Sequence, residues 1–403
     1  CTLLLDTTVY AADVEDGLVR RIMARCDKTE HLYRIRARQF ADCTGDARLA
    51  VEAGATTRWG RESRDELGEP LAAERASRTT LGSSILFTAR DYGKPMPFVP
   101  PRWARRVGKE HLRFRPVSSE AWEYGYWWIE WGGVTDTIRD NERIRFELLA
   151  IVTGVWDHIK NSGRFPAART WAMDWIGMVP GRRESRRIEG DHILTQADLE
   201  GRNPPLDDAV SIGGWNLDDH PSGGFDLPHE QPFTSIPLPR VYNIPLRALY
   251  SRDVANLFMA GRNASCSHVA FSSTRVMATC AGMGQAVGTA AALCARHGLR
   301  PRQLYEDEAR RAELQQTLLR DDQTIRDAKN EDPADLAREA TVAASGAFET
   351  SRPENVIDGE VRDMEHGLGH RWVAPMEDDG AWLDLSWKKP QRLGHVQITF
   401  DTG

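Results

Sequence analysis

Four clusters of residues in this chain have types and spacings suited to chemistry. The first is Asp42-Cys43-Thr44-Gly45-Asp46. Glycine has no Cβ, so a turn at Thr44-Gly45 lets main-chain N–H groups approach a ligand closely. A turn between a strand and a helix uses glycine in the same way without any ligand. The second is Gly261-Arg262 after an apolar run, followed by Arg275 and by Gly284-Gln285-Ala286 in a small-residue helix. A helix N-terminus carries partial positive charge and unpaired N–H groups, which favour an anion. The plain alternative is that small residues permit close helix–sheet packing. The third is Pro180-Gly-Arg-Arg-Glu-Ser-Arg-Arg187, with Arg182, Arg183, Arg186 and Arg187 in one short run. Arginine forks match carboxylates and phosphates bidentately. The competing reading is a solvated loop in which they pair with Glu184 and Asp191. The fourth is Ser265-Cys-Ser-His268. Histidine titrates near neutral pH, so His268 is a candidate for proton exchange with a substrate, set against an ordinary structural role.

The elements that must position these residues are legible in part. Residues 1–43 read as β-structure, with strands at Thr2–Leu5 and Thr7–Tyr10. Asp16-Gly17 is a hairpin turn, and a strand runs from Tyr33 to Phe40. Ala47–Ala53 is a short helix ended by Gly54. Ile138–Lys160 is an amphipathic helix, because Ile144, Leu148, Ile151, Val155 and Ile159 recur at helical spacing. Asn256–Ala260 reads as a buried strand. Ser273–Arg275 is expected to open a long helix, Val276–His297, capped by Gly298. Leu304–Leu319 reads as one further helix. Short alternating runs at 340–345, 355–359, 381–385 and 396–400 give residues 335–403 an all-β pattern. Eight tryptophans fall between Trp122 and Trp215, and packing accounts for them unless some line a cleft.

Composition narrows the classes. The chain has 403 residues, 41% hydrophobic and 28% charged, with a net charge of -7. A basic field for nucleic acid is absent. No apolar run reaches the roughly 20 residues that a membrane-spanning helix needs. The six cysteines show no C-x-x-C pair and no histidine at metal-finger spacing, so they read as free thiols and no metal is expected.

Asp42–Asp46, Pro180–Arg187, and Asn256–Arg262 through Ser267-His268, Ser273-Thr-Arg275 and Gly284–Gly288 together resemble the FAD-dependent oxidoreductase family. That is a glutathione-reductase-like flavoprotein group related to the flavin subunit of heterodisulfide reductase. The likeness covers about residues 1–330. It implies an α/β fold: a Rossmann-type FAD-binding core (1–55 and 241–330) with an inserted mixed substrate domain (56–240). FAD is the implied cofactor. Thr44, Gly45 and Asp46 would border its adenosine-diphosphate side, Gly261 and Arg262 its ribityl chain and phosphates, and Gly284, Gln285 and Ala286 its ring. The family's G-x-G-x-x-G loop does not occur, so the core is expected to lack its first βαβ unit, upstream of Cys1. The chain also lacks the clustered cysteines of iron–sulfur relatives. Residues 335–403 resemble the first half of a discoidin-like, coagulation factor type C β-sandwich, which implies a glycan partner and export.

The expected activity is hydride transfer between flavin and a small organic substrate, anionic or sugar-derived. His268 is the candidate acid/base, and Arg183, Arg187 and Arg275 are candidate anchors. The rival expectation is a polysaccharide-binding or polysaccharide-degrading protein with a vestigial flavin fold. A hydrolase would need paired carboxylates. Asp218-Asp219-His220 is the compact candidate, and otherwise reads as a solvated loop.

Overall fold

A computed structural model describes residues 1–348, 350–362, 370–376 and 380–400. Thr7–Glu15 (β1) and Leu18–Cys26 (β2) form a hairpin. Asp16 and Gly17 close it with φ of 52° and 69°, the paired left-handed geometry that matches the twist of the flanking strands. Leu32–Ile35 (β3) completes an antiparallel meander. The strand expected from Tyr33 to Phe40 is broken. Phe40–Asp42 (β4) leaves the meander and pairs in parallel with a strand more than 200 residues later in sequence. Thr2–Leu5 forms no strand; it is exposed and has no ladder partner for its backbone groups.

Arg48–Glu52 (α1), Thr57–Trp59 (β5) and Arg64–Leu67 (α2) lead to Ser83–Ser84 (β6) and Phe87–Asp91 (β7). Then come Glu130–Trp131 (β8), Asn141–Asn161 (α3), Trp171–Ile176 (β9), Gly181–Arg182 (β10) and Arg186–Ile188 (β11). On α3 the predicted stripe of Ile144, Leu148, Ile151, Val155 and Ile159 is fully buried. It packs with Phe87, Trp122, Trp128 and Trp156 in a core formed by residues between Ile85 and Phe225. Each such side chain is worth about 1.5–3 kcal/mol on burial. Gly154 lets a loop cross the helix: a Cβ there would lie 2.1 Å from the Arg105 carbonyl oxygen. Packing thus accounts for Trp122, Trp128, Trp131 and Trp156, while Trp127, Trp175 and Trp215 stay exposed.

Gln196–Leu199 (α4), Ala209–Gly213 (β12), Leu217–Asp219 (β13), Thr234–Ile236 (β14) and Tyr242–Pro245 (β15) follow. Leu257–Met259 (β16) is the parallel partner of β4, with Leu257 opposite Phe40 and Met259 opposite Asp42. His268–Thr274 (α5) and Met277–His297 (α6) meet at 93°. Ser273–Arg275 therefore ends one helix instead of opening the other. Ser267 caps α5 by accepting from the Ala270 amide, and the extended backbone of Val276 makes the corner. Gly298 caps α6 with φ of 70°, as read from sequence. The expected Leu304–Leu319 helix is two, Pro301–Glu306 (α7) and Glu308–Arg320 (α8), because Asp307 breaks the run and caps the second. Helices α6, α7 and α8 bury one face against β12, β15 and β16.

In the C-terminal segment, Thr341–Ala344 (β17) and Leu383–Ser386 (β18) form one antiparallel ladder. Residues 353–357 make a 3-10 turn, and 396–400 form no strand. The expected partial sandwich is thus a single two-stranded ladder among the described residues. The whole is a mixed α and β architecture with one parallel ladder among the described strands.

Candidate functional site

The parallel ladder brings two turns side by side. Asp42, fully buried at the end of β4, accepts from the Thr44 amide and hydroxyl at 3.0 and 2.7 Å, and from the Ala50 amide at 2.9 Å. Asn263, just beyond β16, donates to the Asp42 carboxylate and carbonyl, both at 3.0 Å. Asp42 and Asn263 therefore lock the Thr44-Gly45-Asp46 turn to the Gly261-Arg262 turn. Gly45 has φ of 75°, and a Cβ on it would sit 2.5 Å from Arg262 Nη2. Asp46 receives Arg182 and the Ser185 hydroxyl, with Arg262 at 3.5 Å.

Arg262 Nη1 is buried without a partner. Burial pushes the Arg262 pKa down; Asp46 opposes this, and the charge of Arg182 adds to it. The first turn of α6 lies within reach of the same charge, which acts on the Cys280 thiol. Met277, Ala278 and Ala281 leave that end of the helix open. A glycine cradle, an orphan guanidinium N–H and an uncovered helix N-terminus form a donor set that fits a phosphate or an electron-rich ring edge.

Gly284 and Gln285 lie further along α6. Gly284 is exposed, Gln285 donates to the Asp321 carbonyl at 2.8 Å, and Ala286 is in the core. The free N–H groups belong to the first turn of a helix. The free N–H groups of α6 thus lie before Cys280, whose amide bonds to the Val276 carbonyl, one to two turns before the glycine motif.

Gly45→Ala is expected to lower FAD affinity roughly tenfold, since a left-handed alanine costs about 1–2 kcal/mol before Arg262 is displaced. Fluorescence titration with FAD checks this.

The segment Arg182–Arg187 links this cradle to a second cluster. Glu184 is fully buried and accepts the Leu81 amide at 2.8 Å. It faces His268 Nδ1 at 3.0 Å. His268 Nε2 lies 3.2 Å from Asp219, which Arg61 grips at 2.7 Å. Burial alone would depress the His268 pKa; Glu184 and Asp219 outweigh it and hold the imidazole above its usual range. Burial would raise Glu184, but His268 and Arg187 hold it below the usual carboxylate range.

Arg187 is 1% exposed. Its guanidinium reaches Glu62 and the Gly60 and Cys266 carbonyls. With its Nη atoms taken up inside the protein and its side chain buried, Arg187 holds Glu62 and Glu184 rather than facing solvent. Arg183 donates to Ser84 and the Trp127 carbonyl and pairs with Glu130 at 3.0 Å. Arg275 donates to Asp218 at 3.0 Å.

Several partners had no local sequence signal. Glu62, Glu130 and Asn263 are single polar residues whose roles depend on distant elements. Asp218-Asp219-His220 was visible as a cluster but not as part of this site; Asp218 and Asp219 lie on strand β13, not in a solvated loop.

A family model described as FAD dependent oxidoreductase matches residues 1–318. The chain belongs to the FAD-dependent oxidoreductase family. FAD is its cofactor. A second model, a domain of unknown function (DUF7402), matches residues 335–401. It gives the C-terminal segment of this oxidoreductase neither a discoidin identity nor a glycan partner. No curated protein and no solved structure matches the chain. Among the described residues no single helix is long and apolar enough to cross a membrane, and no cluster of metal-ligating side chains occurs.

Proposed function

We propose that this flavoprotein transfers a hydride between FAD and a small organic anion, with His268 as acid/base and Arg183 and Arg275 as anchors. One observation carries the reading: consecutive residues of the Arg182–Arg187 segment serve both clusters. Arg182 and Ser185 hold Asp46 at the cofactor cradle, and Glu184 holds His268. Neighbouring Cα atoms are about 3.8 Å apart, so cradle and acid/base unit are adjacent. The β4–β16 ladder is read as part of a Rossmann-type core, with the segment between β5 and β14 as the substrate side.

In this reading Gly45, Arg262 and the start of α6 hold FAD. Bound FAD supplies the hydride acceptor, or the donor in the reverse direction. Glu184 fixes one imidazole nitrogen of His268 and keeps a proton on it. Asp219, whose side chain is 42% exposed, is the opening to solvent. A proton released from substrate is held at His268 and leaves by way of Asp219. Substrate oxidation needs the neutral imidazole and reduction the charged one.

FAD-loaded protein should be bleached anaerobically by members of a panel of small hydroxy, amino and uronic acids. A loaded protein that none of them reduces would overturn the reading.

A further inference from the structure

The acid/base unit has a twin beside it. Glu184–His268–Asp219 is matched by Glu130–His220–Asp218, with Glu130 at 2.7 Å from His220 Nδ1 and Asp218 at 3.5 Å from Nε2. The two glutamates accept from consecutive amides, Leu81 and Gly82. The two aspartates are consecutive on β13. What separates the units is charge. Around His268 the cations Arg61, Arg187 and His268 face the anions Glu62, Glu184 and Asp219. Around His220 the cations Arg183, Arg275 and His220 pair directly with Glu130 and Asp218, while Glu184 acts on Arg275 from farther away. Counted by direct ion pairs, the second unit has one carboxylate fewer than the first. Burial presses the His220 pKa down and the charge of Arg183 adds to this, but Asp218 and Glu130 still hold it above its usual range. A further anion beside Arg183 and Arg275 would favour the charged imidazole still more, so binding of an anion is coupled to protonation of His220.

We propose that Arg183, Arg275 and His220 form the carboxylate subsite of this enzyme, and that it takes a ring carboxylate together with one proton at His220. The inference rests on the oxidoreductase reading above and names the substrate class. Arg275 supplies the orphan donor: its side chain is 9% exposed, Nη2 makes both contacts to Asp218, and buried Nε has no hydrogen-bond partner. Arg183 and Arg275 are joined through Glu130, His220 and Asp218 in one chain of contacts. Burial first and then the charge of Arg183 press the Arg275 pKa down, against the opposing pull of Asp218, Glu130 and Glu184.

Aromatic rings form the rim. Trp127, Trp215 and Phe233 are 44, 54 and 39% exposed. Trp127 and Phe233 meet edge to face at 5.2 Å, and their centroids are 5.8 and 6.4 Å from the His220 ring. The Trp215 carbonyl accepts from the hydroxyl of Ser273, two residues before Arg275. Half-exposed rings next to paired arginines suit a flat ring carrying one carboxylate.

Among the described residues, the charged groups around His220 come from four elements. Glu130 comes from β8, Asp218 from β13, Arg183 from the segment between β10 and β11, and Arg275 from the end of α5. Next to them, Arg61 donates to the His220 carbonyl and Asp219 accepts its amide.

The test is calorimetric titration of the FAD-loaded full chain with benzoate at pH 8, in two buffers of different ionisation enthalpy. We expect binding with uptake of roughly one proton per benzoate, and affinity that falls as pH rises. Benzyl alcohol, the same ring without the charge, should not bind. His220→Gln should abolish proton uptake while benzoate still binds, and Arg275→Gln should weaken benzoate about tenfold. Absence of benzoate binding, binding without proton uptake in the unaltered protein, or binding indifferent to Arg275→Gln overturns the proposal. The buffer comparison on the unaltered chain stands even if a variant does not fold. Flavin absorbance of the same sample reports on FAD separately. Benzoate and proton uptake in a sample that shows no flavin absorbance would support the anion subsite and count against its place in hydride transfer, so the two failures are told apart.

Discussion

Arg187→Met is expected to destabilise the protein by about 3–5 kcal/mol, because it leaves Glu62 and Glu184 as buried carboxylates without their shared cation. The cost is not that of a lost surface ion pair, which is worth about 0–1 kcal/mol. Arg187 is 1% exposed and Glu184 fully buried, so water cannot replace the guanidinium. The Gly60 and Cys266 carbonyls also lose their donor. Arg187→Lys should recover part of the loss, since an ammonium restores the charge but cannot reach all four acceptors of a planar fork. Urea denaturation of the two variants against the parent chain measures this. A change below about 1 kcal/mol for Arg187→Met would mean that the two glutamates are protonated and the cluster is not ionic.

His268→Gln is expected to slow turnover by about 10²–10⁴-fold and to flatten its pH profile. In the parent enzyme the rate of substrate oxidation should rise with pH, with a midpoint above the ordinary histidine value of 6.5. Oxidation needs the imidazole neutral, and Glu184 and Asp219 keep it charged to higher pH; the reduction rate should fall over the same window. Stability carries the same signature. The folded-state pKa of His268 lies above its unfolded value, as does that of His220. Their stabilising contribution is therefore complete below pH 6.5 and is lost as pH rises through the folded values. Pre-steady-state flavin bleaching as a function of pH checks the rates. A glutamine variant that keeps both the rate and the profile would remove His268 from the chemistry.

Local sequence was enough wherever one element decides its own form. Asp16-Gly17 makes the hairpin because the primed turn needs two residues that accept positive φ. The α3 stripe is legible because five apolar residues at helical spacing have one face to bury. Gly298 ends α6 because a left-handed cap suits glycine. The Gly45 and Gly261-Arg262 turns were legible as a pair only through the family pattern that joins them.

Tertiary structure decided what depends on a distant partner. Phe40–Asp42 is a strand of its own because β16 pairs with it, and nothing within those three residues signals that. The corner at Arg275 arises where Ser273 and Arg275 are held by Tyr242, Trp215 and Asp218, so the long helix starts at Met277, one residue later than its composition suggests. The arginine run reads from sequence as one anion-binding patch. In the fold its members diverge, because successive residues of an extended segment point to opposite sides: Arg182 goes to Asp46, Arg183 to Glu130, and Arg187 into the core against Glu62. A sequence names the charges available. Which of them remain open to a ligand is set by where buried carboxylates from other elements come to rest, since an ion pair depends on distance in space and not along the chain.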